Sequence, residues 1–316
     1  MSNTNAKFFK TLNNGRTMPL LGIGTWLSKP GEIEHSIRIA LENGYRHIDS
    51  AAIYRNEKEI GQVLTALIHE EKKVKREELF VTSKLWNTFH AKEHVRNACL
   101  QTLQNLNLDY LDMYLIHWPL AFAYAGDDLH KEGVPLPRDE QGMIRMQPVS
   151  LRETWEEMEK LVQEGLVKSI GVSNFDLGLI YEILSFAKIK PACNQVECHP
   201  FLAQNHLLKG LKDIALVAYS PLGHMHEGSP VHHSKIIEIA EKHLKTPAQI
   251  LLRWNIQRGC VVIPKSIREQ RIIENGQVFD FELDNDEMEA INALQNEKTM
   301  RTCDPFHLFG VPLFGN

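Results

Sequence analysis

Short runs of apolar, β-prone residues alternate with longer amphipathic stretches over most of this chain. The longer stretches carry apolar residues at spacings of three and four, which is typical of helices with one buried face. They include Glu32 to Glu42, Glu57 to Glu70, Ala91 to Leu106 and Leu151 to Glu164. The β-prone runs number eight, namely Leu20 to Gly24, Tyr45 to Ile48, Leu79 to Ser83, Met113 to Ile116, Val167 to Val172, Cys193 to Glu197, Leu216 to Ala218 and Val261 to Ile263.

This alternation restricts the fold class. Strands that alternate with helices predict a parallel sheet covered by helices, and eight such units are the number that closes a (β/α)₈ TIM barrel. An open, doubly wound sheet is the alternative. Because α/β barrels of about 250 residues or more fold as one unit, we expect the 316 residues to form a single domain.

Three segments do not follow the alternation. Residues 1–19 contain Asn13-Asn14-Gly15 between two arms that run from Phe8 to Met18, which predicts a β-hairpin that caps one end of the barrel. Residues 119–150 are too long and too rich in Gly, Pro and Asp for a simple connection, and we interpret them as a functional loop. The tail, residues 298–316, has aromatic residues and prolines without periodicity, so it either packs as a lid or frays.

Charge and apolar runs exclude two classes of partner. The net charge is -5 and the basic residues are dispersed, which argues against nucleic-acid binding. No apolar run approaches the roughly 20 residues that span a bilayer, and the N-terminus lacks the apolar core of a signal peptide. The five cysteines are widely spaced without a CxxC pair, which indicates reduced thiols. We therefore expect a cytoplasmic protein and, because no interface signal stands out, a monomer.

A histidine-rich stretch raises the question of a metal. Gly223 to His233 contains His224, His226, His232 and His233. No cysteine or carboxylate accompanies them at the spacing of metal ligands. We therefore predict no metal site.

Four polar residues stand at or just beyond the ends of predicted strands, namely Asp49, Tyr54, Lys84 and His117. Asp49 and Lys84 are 35 residues apart, and Lys84 and His117 are 33 apart, close to one strand-helix unit each time. Groups at the same point of successive units converge at the carboxyl ends of the strands, where barrels place their active sites. The alternative is a set of unrelated polar strand ends.

The chemistry of these four residues is coherent. A tyrosine hydroxyl has a pKa of about 10, which a neighbouring lysine lowers by favouring phenolate. Asp49 could hold Lys84 in place and charged. A neutral His117 could donate a hydrogen bond to a carbonyl oxygen and polarise it. The set suits proton transfer from Tyr54 to a carbonyl oxygen.

Motifs along nearly the whole chain resemble the aldo-keto reductases, and several occur in the order of that family. They are LLGIGTW at 20–26, GYRHIDSAAIY at 44–54, SKLW at 83–86, LDYLDMYLIHWP at 108–119, GVSNF at 171–175, NQVECHP at 194–200, AYSPLG at 218–223 and VIPKS at 262–266. The resemblance implies that Asp49, Tyr54, Lys84 and His117 are the catalytic tetrad.

A Rossmann fingerprint is only weakly supported as the cofactor site, because Gly22 and Gly24 lack the third glycine of GxGxxG. The resemblance implies instead an extended nicotinamide cofactor across the barrel mouth. Its binding residues would be Thr25, Trp26, Asp49, Ser173, Asn174, Gln195, Tyr219, Ser220, Leu222, Lys265, Ser266, Arg271, Glu274 and Asn275. Lys265 and Arg271 follow the last strand run and enter a helix, which suits a phosphate and favours NADPH over NADH. The alternative is a pair of cations that face solvent. Arg268 could add a cation nearby or face solvent.

Two features of the sequence concern the rate of cofactor release. Relatives of the animal aldose-reductase type often latch a long loop over the pyrophosphate through a lysine just after the GTW motif. Leu27 occupies that position here, and the stretch from His224 to His233 is several residues shorter. We expect a looser clasp and faster cofactor exchange.

Aromatic residues near the tetrad motifs predict an apolar substrate pocket. The resemblance implies that its residues are Trp26, Ile53, Tyr54, Trp86, His117, Trp118 and Phe122, with Cys303 from the tail, either as an oxidation-sensitive thiol or as an inert one. The tail resembles that of xylose reductases, which hints at sugar aldehydes. The expected activity is NADPH-dependent reduction of aldose sugars or small aldehydes. The alternatives are a ketosteroid or prostaglandin-type reductase and a nonenzymatic NADPH-binding regulatory or structural protein.

Overall fold

A computed structural model describes residues 8–29 and 31–314. Within them, β1 (Phe9–Thr11) and β2 (Thr17–Pro19) form an antiparallel pair in which Lys10 faces Met18. Gly15 adopts φ +81°, a left-handed conformation that glycine allows without strain and that closes the turn. The predicted hairpin is confirmed; residues 1–7 of the segment 1–19 and residues 315–316 of the tail lie outside the described residues.

Eight further strands form one sheet, in which their order in space follows their order in the chain. They are β3 (Ile23–Gly24), β4 (His47–Asp49), β5 (Phe80–Leu85), β6 (Met113–Ile116), β7 (Ile170–Ser173), β8 (Cys193–Glu197), β9 (Ala215–Tyr219) and β10 (Val261–Val262). Each predicted run contains or overlaps one of them, since apolar runs of this length suit strands buried on both faces.

Hydrogen bonds also join the first strand region of this sheet to the last. The amide of Gly22 donates to Val262, the amide of Val262 donates to Leu20, and the amide of Gly24 donates to Pro264. The pairs with a defined register, such as β3 with β4 and β5 with β6, are parallel. The predicted (β/α)₈ barrel class is confirmed, and the open sheet is the wrong alternative.

Most of the described helices lie between consecutive strands of this sheet in the chain, and the last three follow β10. They are α1 (Glu32–Glu42), α2 (Glu57–Thr65), α3 (Lys92–Leu106), α4 (Leu151–Gln163), α5 (Leu177–Phe186), α6 (Asn205–Gly210), α7 (Ser234–His243), α8 (Pro247–Gln257), α9 (Glu269–Gly276), α10 (Asn285–Glu297) and α11 (Pro305–Phe309). A π-helical turn, Ala66–Glu70, continues α2. All four helical stretches predicted above are present. Helix packing is close: a Cβ at Gly61 on α2 would clash with the backbone of Asn105 and Leu106 at the end of α3.

The chain groups into two compact units, each made of separate segments. The first unit comprises the described parts of residues 1–49 together with 77–80 and 195–302, and its fully buried side chains include Ile37 and Trp254. The second comprises 50–76, 81–194 and the described part of 303–316, and it buries Trp155 and Phe89. That the whole chain is a single domain stays a prediction.

Both segments predicted as substrate loops have local structure. Residues 119–150 fold back on themselves through antiparallel bridges between Phe122 and Met146 and between Arg138 and Ile144. The tail contains α11, whose N-terminus is capped by the Asp304 side chain. Phe309 of that helix is buried. The tail therefore packs as a folded element through this ring.

Candidate active site

Tyr54, Lys84 and His117 lie close together within the second unit. Tyr54 ends a 3₁₀ turn that follows β4, and Lys84 lies within β5. The lysine is completely buried, and its Nζ donates to the carbonyl of Ser50 at 2.7 Å. The same Nζ lies 3.4 Å from the Tyr54 hydroxyl and 5.0 Å from the centre of its ring. A buried ammonium at this distance favours the phenolate form of the tyrosine.

His117 follows β6 and is buried beside this pair. Its ring centre lies 5.9 Å from that of Tyr54 and 5.3 Å from that of Trp86, both edge-on. Burial, and then the charges of Lys84 and His90, hold the pKa of His117 well below its usual range. The imidazole is therefore neutral near pH 7, so one of its ring nitrogens carries a hydrogen that it can donate without charge.

Asp49 ends β4 in the first unit, where its carboxylate is buried and held by an amide. Gln195 Nε2, on β8, donates to Asp49 Oδ2 at 2.7 Å. The Asp49 carbonyl accepts from the Thr25 hydroxyl at 2.9 Å and from the Thr25 amide at 3.2 Å. Ser50, the next residue, supplies the carbonyl that binds Lys84. Asp49 and the residue whose carbonyl accepts the hydrogen bond from Lys84 are therefore adjacent in the sequence.

An aromatic cluster surrounds His117 in the second unit. Trp86 is oriented by a hydrogen bond from its indole nitrogen to the carbonyl of Pro135, in the long loop. The Phe309 ring lies edge-on to three predicted pocket residues, 6.1 Å from Trp86, 5.6 Å from Trp118 and 5.2 Å from Phe122 between ring centres. Phe309 was not predicted, because a tail without periodicity gives no sign of which residue is buried.

Comparison with known proteins identifies the protein family. The profile of the aldo/keto reductase family matches residues 20–296. The chain belongs to this family. Aldose reductase B of Dictyostelium discoideum is 48% identical over 310 residues, 97% of each chain. Aldo-keto reductase family 1 member A1 of Cricetulus griseus is 49% identical over 292 residues, which are 90% of this chain and 88% of that protein.

Solved structures agree with this family and fold. The aldose reductase from Schistosoma japonicum matches with a TM-score of 0.87 at 46% identity, covering 96% of this aldo-keto reductase and 97% of that chain. The aldose reductase from Giardia lamblia matches with a TM-score of 0.86 at 38% identity, covering 93% and 98%. The resemblance read from the motifs is confirmed: the protein is an oxidoreductase with the barrel fold of its family, whose substrates are carbonyl compounds.

The residues expected to bind the nicotinamide end stand at strand ends of this aldo-keto reductase. Ser173 and Asn174 end and follow β7, and both are buried. Asn174 has φ +66°, and its Nδ2 donates to the His117 carbonyl at 2.9 Å and to Ser173 Oγ at 3.1 Å. Tyr219 ends β9 and is half-buried. Gln195 was expected to hold the carboxamide, and here its amide orients Asp49.

The remaining expected cofactor residues lie in the first unit. Ser220 has φ +45° and is within 2.8 Å of His224 Nε2, Leu222 is buried, and the exposed Trp26 ring lies edge-on to His224. Lys265 and Arg271 are exposed, whereas Ser266 and Glu274 are half-buried and Asn275 is buried. Arg271, Glu274 and Asn275 belong to α9, whose N-terminus has no side-chain cap among the described residues.

Two further residues of the predicted pocket belong to the second unit. Ile53 and Cys303 are half-buried, and Cys303 is a free thiol.

Within residues 8–29 and 31–314, no cluster of three or more His, Cys, Asp or Glu side chains could hold a metal. No helix in the same ranges is both long enough and apolar enough to cross a membrane.

Proposed function

We propose that this aldo-keto reductase reduces aldehydes to alcohols with NADPH, and that Tyr54 is the general acid. The observation that carries the proposal is the completely buried Lys84, whose ammonium lies 3.4 Å from the Tyr54 hydroxyl beside a neutral imidazole. A buried cation against a phenol has a direct use in proton transfer, because it stabilises the phenolate that remains after the proton leaves.

Tyr54, Lys84 and His117 each have a separate role in the reaction at the substrate carbonyl. NADPH, when bound, supplies hydride to the carbonyl carbon. The Tyr54 hydroxyl gives its proton to the carbonyl oxygen, and Lys84 stabilises the oxygen left on Tyr54. The neutral His117 donates a hydrogen bond to the same carbonyl oxygen and orients it. A positioned general acid contributes about 10²- to 10⁴-fold to the rate.

The residues present suit a phosphorylated dinucleotide. Lys265 and Arg271 carry exposed positive charge at and near the start of α9, and the uncapped amides of a helix N-terminus bind phosphate oxygens. Two cations at this end support NADPH over NADH, since the 2′-phosphate adds negative charge. Ser173 and Asn174, held by their own hydrogen bonds, would bind the carboxamide.

The aromatic cluster supports small aldehydes as substrates. Trp86, Trp118, Phe122 and Phe309 pack edge to face, which leaves stiff apolar walls near His117. The relatives named aldose reductase make sugar aldehydes our first candidates. We further propose that the protein acts as a cytoplasmic monomer; the five free thiols fit a reducing compartment.

The test is NADPH consumption with glyceraldehyde, xylose and a steroid ketone, repeated with NADH. We expect turnover of the two aldehydes and a higher kcat/KM with NADPH. Preference for the steroid ketone would support the ketosteroid-type alternative. A wild-type protein that binds NADPH tightly but reduces none of the three would instead support a regulatory or structural role.

A further inference from the structure

Glu57 is a buried carboxyl group that the proposed reaction does not use. It is the first residue of α2, three residues after Tyr54, and its side chain is almost completely buried. Its Oε1 accepts a hydrogen bond from Ser83 Oγ at 2.6 Å. Ser83 directly precedes Lys84 on β5. Glu57 has no ion pair within 4 Å among the residues that the structure describes.

Ser83 and Lys84 hold the tyrosine-bearing segment from both faces of β5. Successive side chains of a strand point to opposite faces, so the two reach in opposite directions. On one face Lys84 binds the Ser50 carbonyl and reaches the Tyr54 hydroxyl. On the other face Ser83 binds Glu57. The segment 50–57 is therefore attached to β5 at its beginning by Lys84 and at its end by Ser83.

Burial makes the Glu57 carboxyl group ionise closer to neutral pH than an exposed glutamate does. Burial raises its pKa from 4.5 to about 7, against the opposing effects of its hydrogen bonds and of the Lys84 ammonium. The titratable, charged and polar groups that face it are Ser83 and Lys84 from β5, Cys99, Thr102 and Asn105 from α3, and Tyr114 from β6. Burial raises the pKa values of Cys99 and Tyr114, so both stay neutral near pH 7. Lys84 is the cation that responds to the Glu57 charge.

We propose that Glu57 is a positioning residue for the Tyr54–Lys84 pair, which holds the tyrosine-bearing segment against β5 and alters the field at the lysine when its carboxyl ionises. The inference rests on the proposed function, because it concerns the same proton donor. An ionised Glu57 stabilises the Lys84 ammonium and disfavours a second negative charge on the Tyr54 oxygen. The pKa of Tyr54 is therefore higher beside ionised Glu57 than beside a neutral residue in its place.

The experiment is a titration of the Tyr54 phenol by ultraviolet difference absorbance, which needs no turnover. The signal of Tyr54 is isolated by subtracting the spectrum of the Tyr54→Phe variant, in the wild-type and in the Glu57→Gln background. We expect Glu57→Gln to lower the pKa of Tyr54 by on the order of half a unit or more. An unchanged pKa would overturn the proposal.

Three further variants separate charge from attachment. Ser83→Ala removes the hydrogen bond and keeps the carboxylate, so we expect a lower kcat with the Tyr54 pKa at its wild-type value. Glu57→Asp keeps the charge but shortens its reach to Ser83, so it should behave like Ser83→Ala; a lowered Tyr54 pKa in either variant would contradict the charge argument. Glu59→Gln, on the same helix and half-buried, is the matched control and should resemble wild type.

Kinetics then separate this proposal from the proposed function. The alkaline limb of kcat/KM for glyceraldehyde reduction should move to lower pH in Glu57→Gln by the same amount as the phenol titration. If Tyr54→Phe keeps full activity, the assignment of the general acid fails, whereas the titration still decides whether Glu57 acts on the Tyr54 oxygen.

Discussion

Glu57 is also expected to cost the protein stability above neutral pH, and Glu57→Gln tests this by removing the charge while keeping the shape. The amide retains an oxygen acceptor for Ser83 Oγ, and the second carboxyl oxygen of Glu57 has no hydrogen-bond partner among the described residues. Any pH-dependent difference in stability between wild type and Glu57→Gln therefore comes from ionisation of the carboxyl group.

The sign and size follow from the folded and unfolded pKa values. Burial raises the pKa of Glu57 from 4.5 to about 7 in the folded protein. The folded state then binds more protons than the unfolded state between these values, so the free energy of unfolding falls as pH rises through this window. Each pKa unit corresponds to about 1.4 kcal/mol, so the loss amounts to roughly 3 kcal/mol by pH 8.

Urea unfolding of wild type and Glu57→Gln from pH 4.5 to pH 8 measures this loss. We expect the stability of Glu57→Gln relative to wild type to increase by roughly 3 kcal/mol across the range, with most of the change between pH 5 and pH 7. Glu59→Gln should run parallel to wild type. A stability difference that stays constant with pH would refute the argument, because it would mean that Glu57 titrates alike in both states.

Three other predictions concern ligands. Phe309→Ala should raise KM for glyceraldehyde about tenfold or more, because a buried ring worth about 2 kcal/mol leaves the aromatic cluster; the exposed Phe306 on the same helix should tolerate alanine. Arg271→Ala should weaken NADPH binding about tenfold or more but NADH binding little, as a charge-assisted phosphate contact is lost. Stopped-flow release of NADPH should be at least as fast as turnover, because Leu27 supplies no charge for a latch.

Each of these has a result that would count against it. Equal effects of the Phe306 and Phe309 variants on KM would remove the tail ring from the pocket. An Arg271→Ala variant that loses NADPH and NADH affinity alike would contradict a 2′-phosphate contact, and Arg268→Ala in the same assay shows whether that exposed arginine contributes. NADPH release much slower than turnover would exclude the loose clasp.

Repeating patterns allowed the fold to be predicted. Apolar runs buried on both faces identify strands without knowledge of their neighbours, which is why Met113 to Ile116 matches β6 from end to end. Tyr54, Lys84 and His117 could be grouped because strand ends in successive units share one edge. Their proximity is now seen within the second unit.

Contacts between residues distant in sequence could not be predicted. The hydrogen bond between Gln195 and Asp49 joins residues 146 positions apart, and no local sequence pattern predicts it. Glu57 looks like an exposed glutamate in the first turn of a helix, where acidic residues are common. Its burial depends on the close approach of α2 and α3 at Gly61. The low pKa of His117 likewise depends on burial beside Lys84.

The most direct test of Tyr54 as the proton donor is single-turnover reduction of glyceraldehyde by wild type and Tyr54→Phe preloaded with NADPH. Phenylalanine keeps the ring and removes only the hydroxyl that faces Lys84. We predict unchanged NADPH affinity and a rate of hydride transfer lower by about 10²-fold or more. Retention of the wild-type rate with normal NADPH binding would contradict Tyr54 as the proton donor.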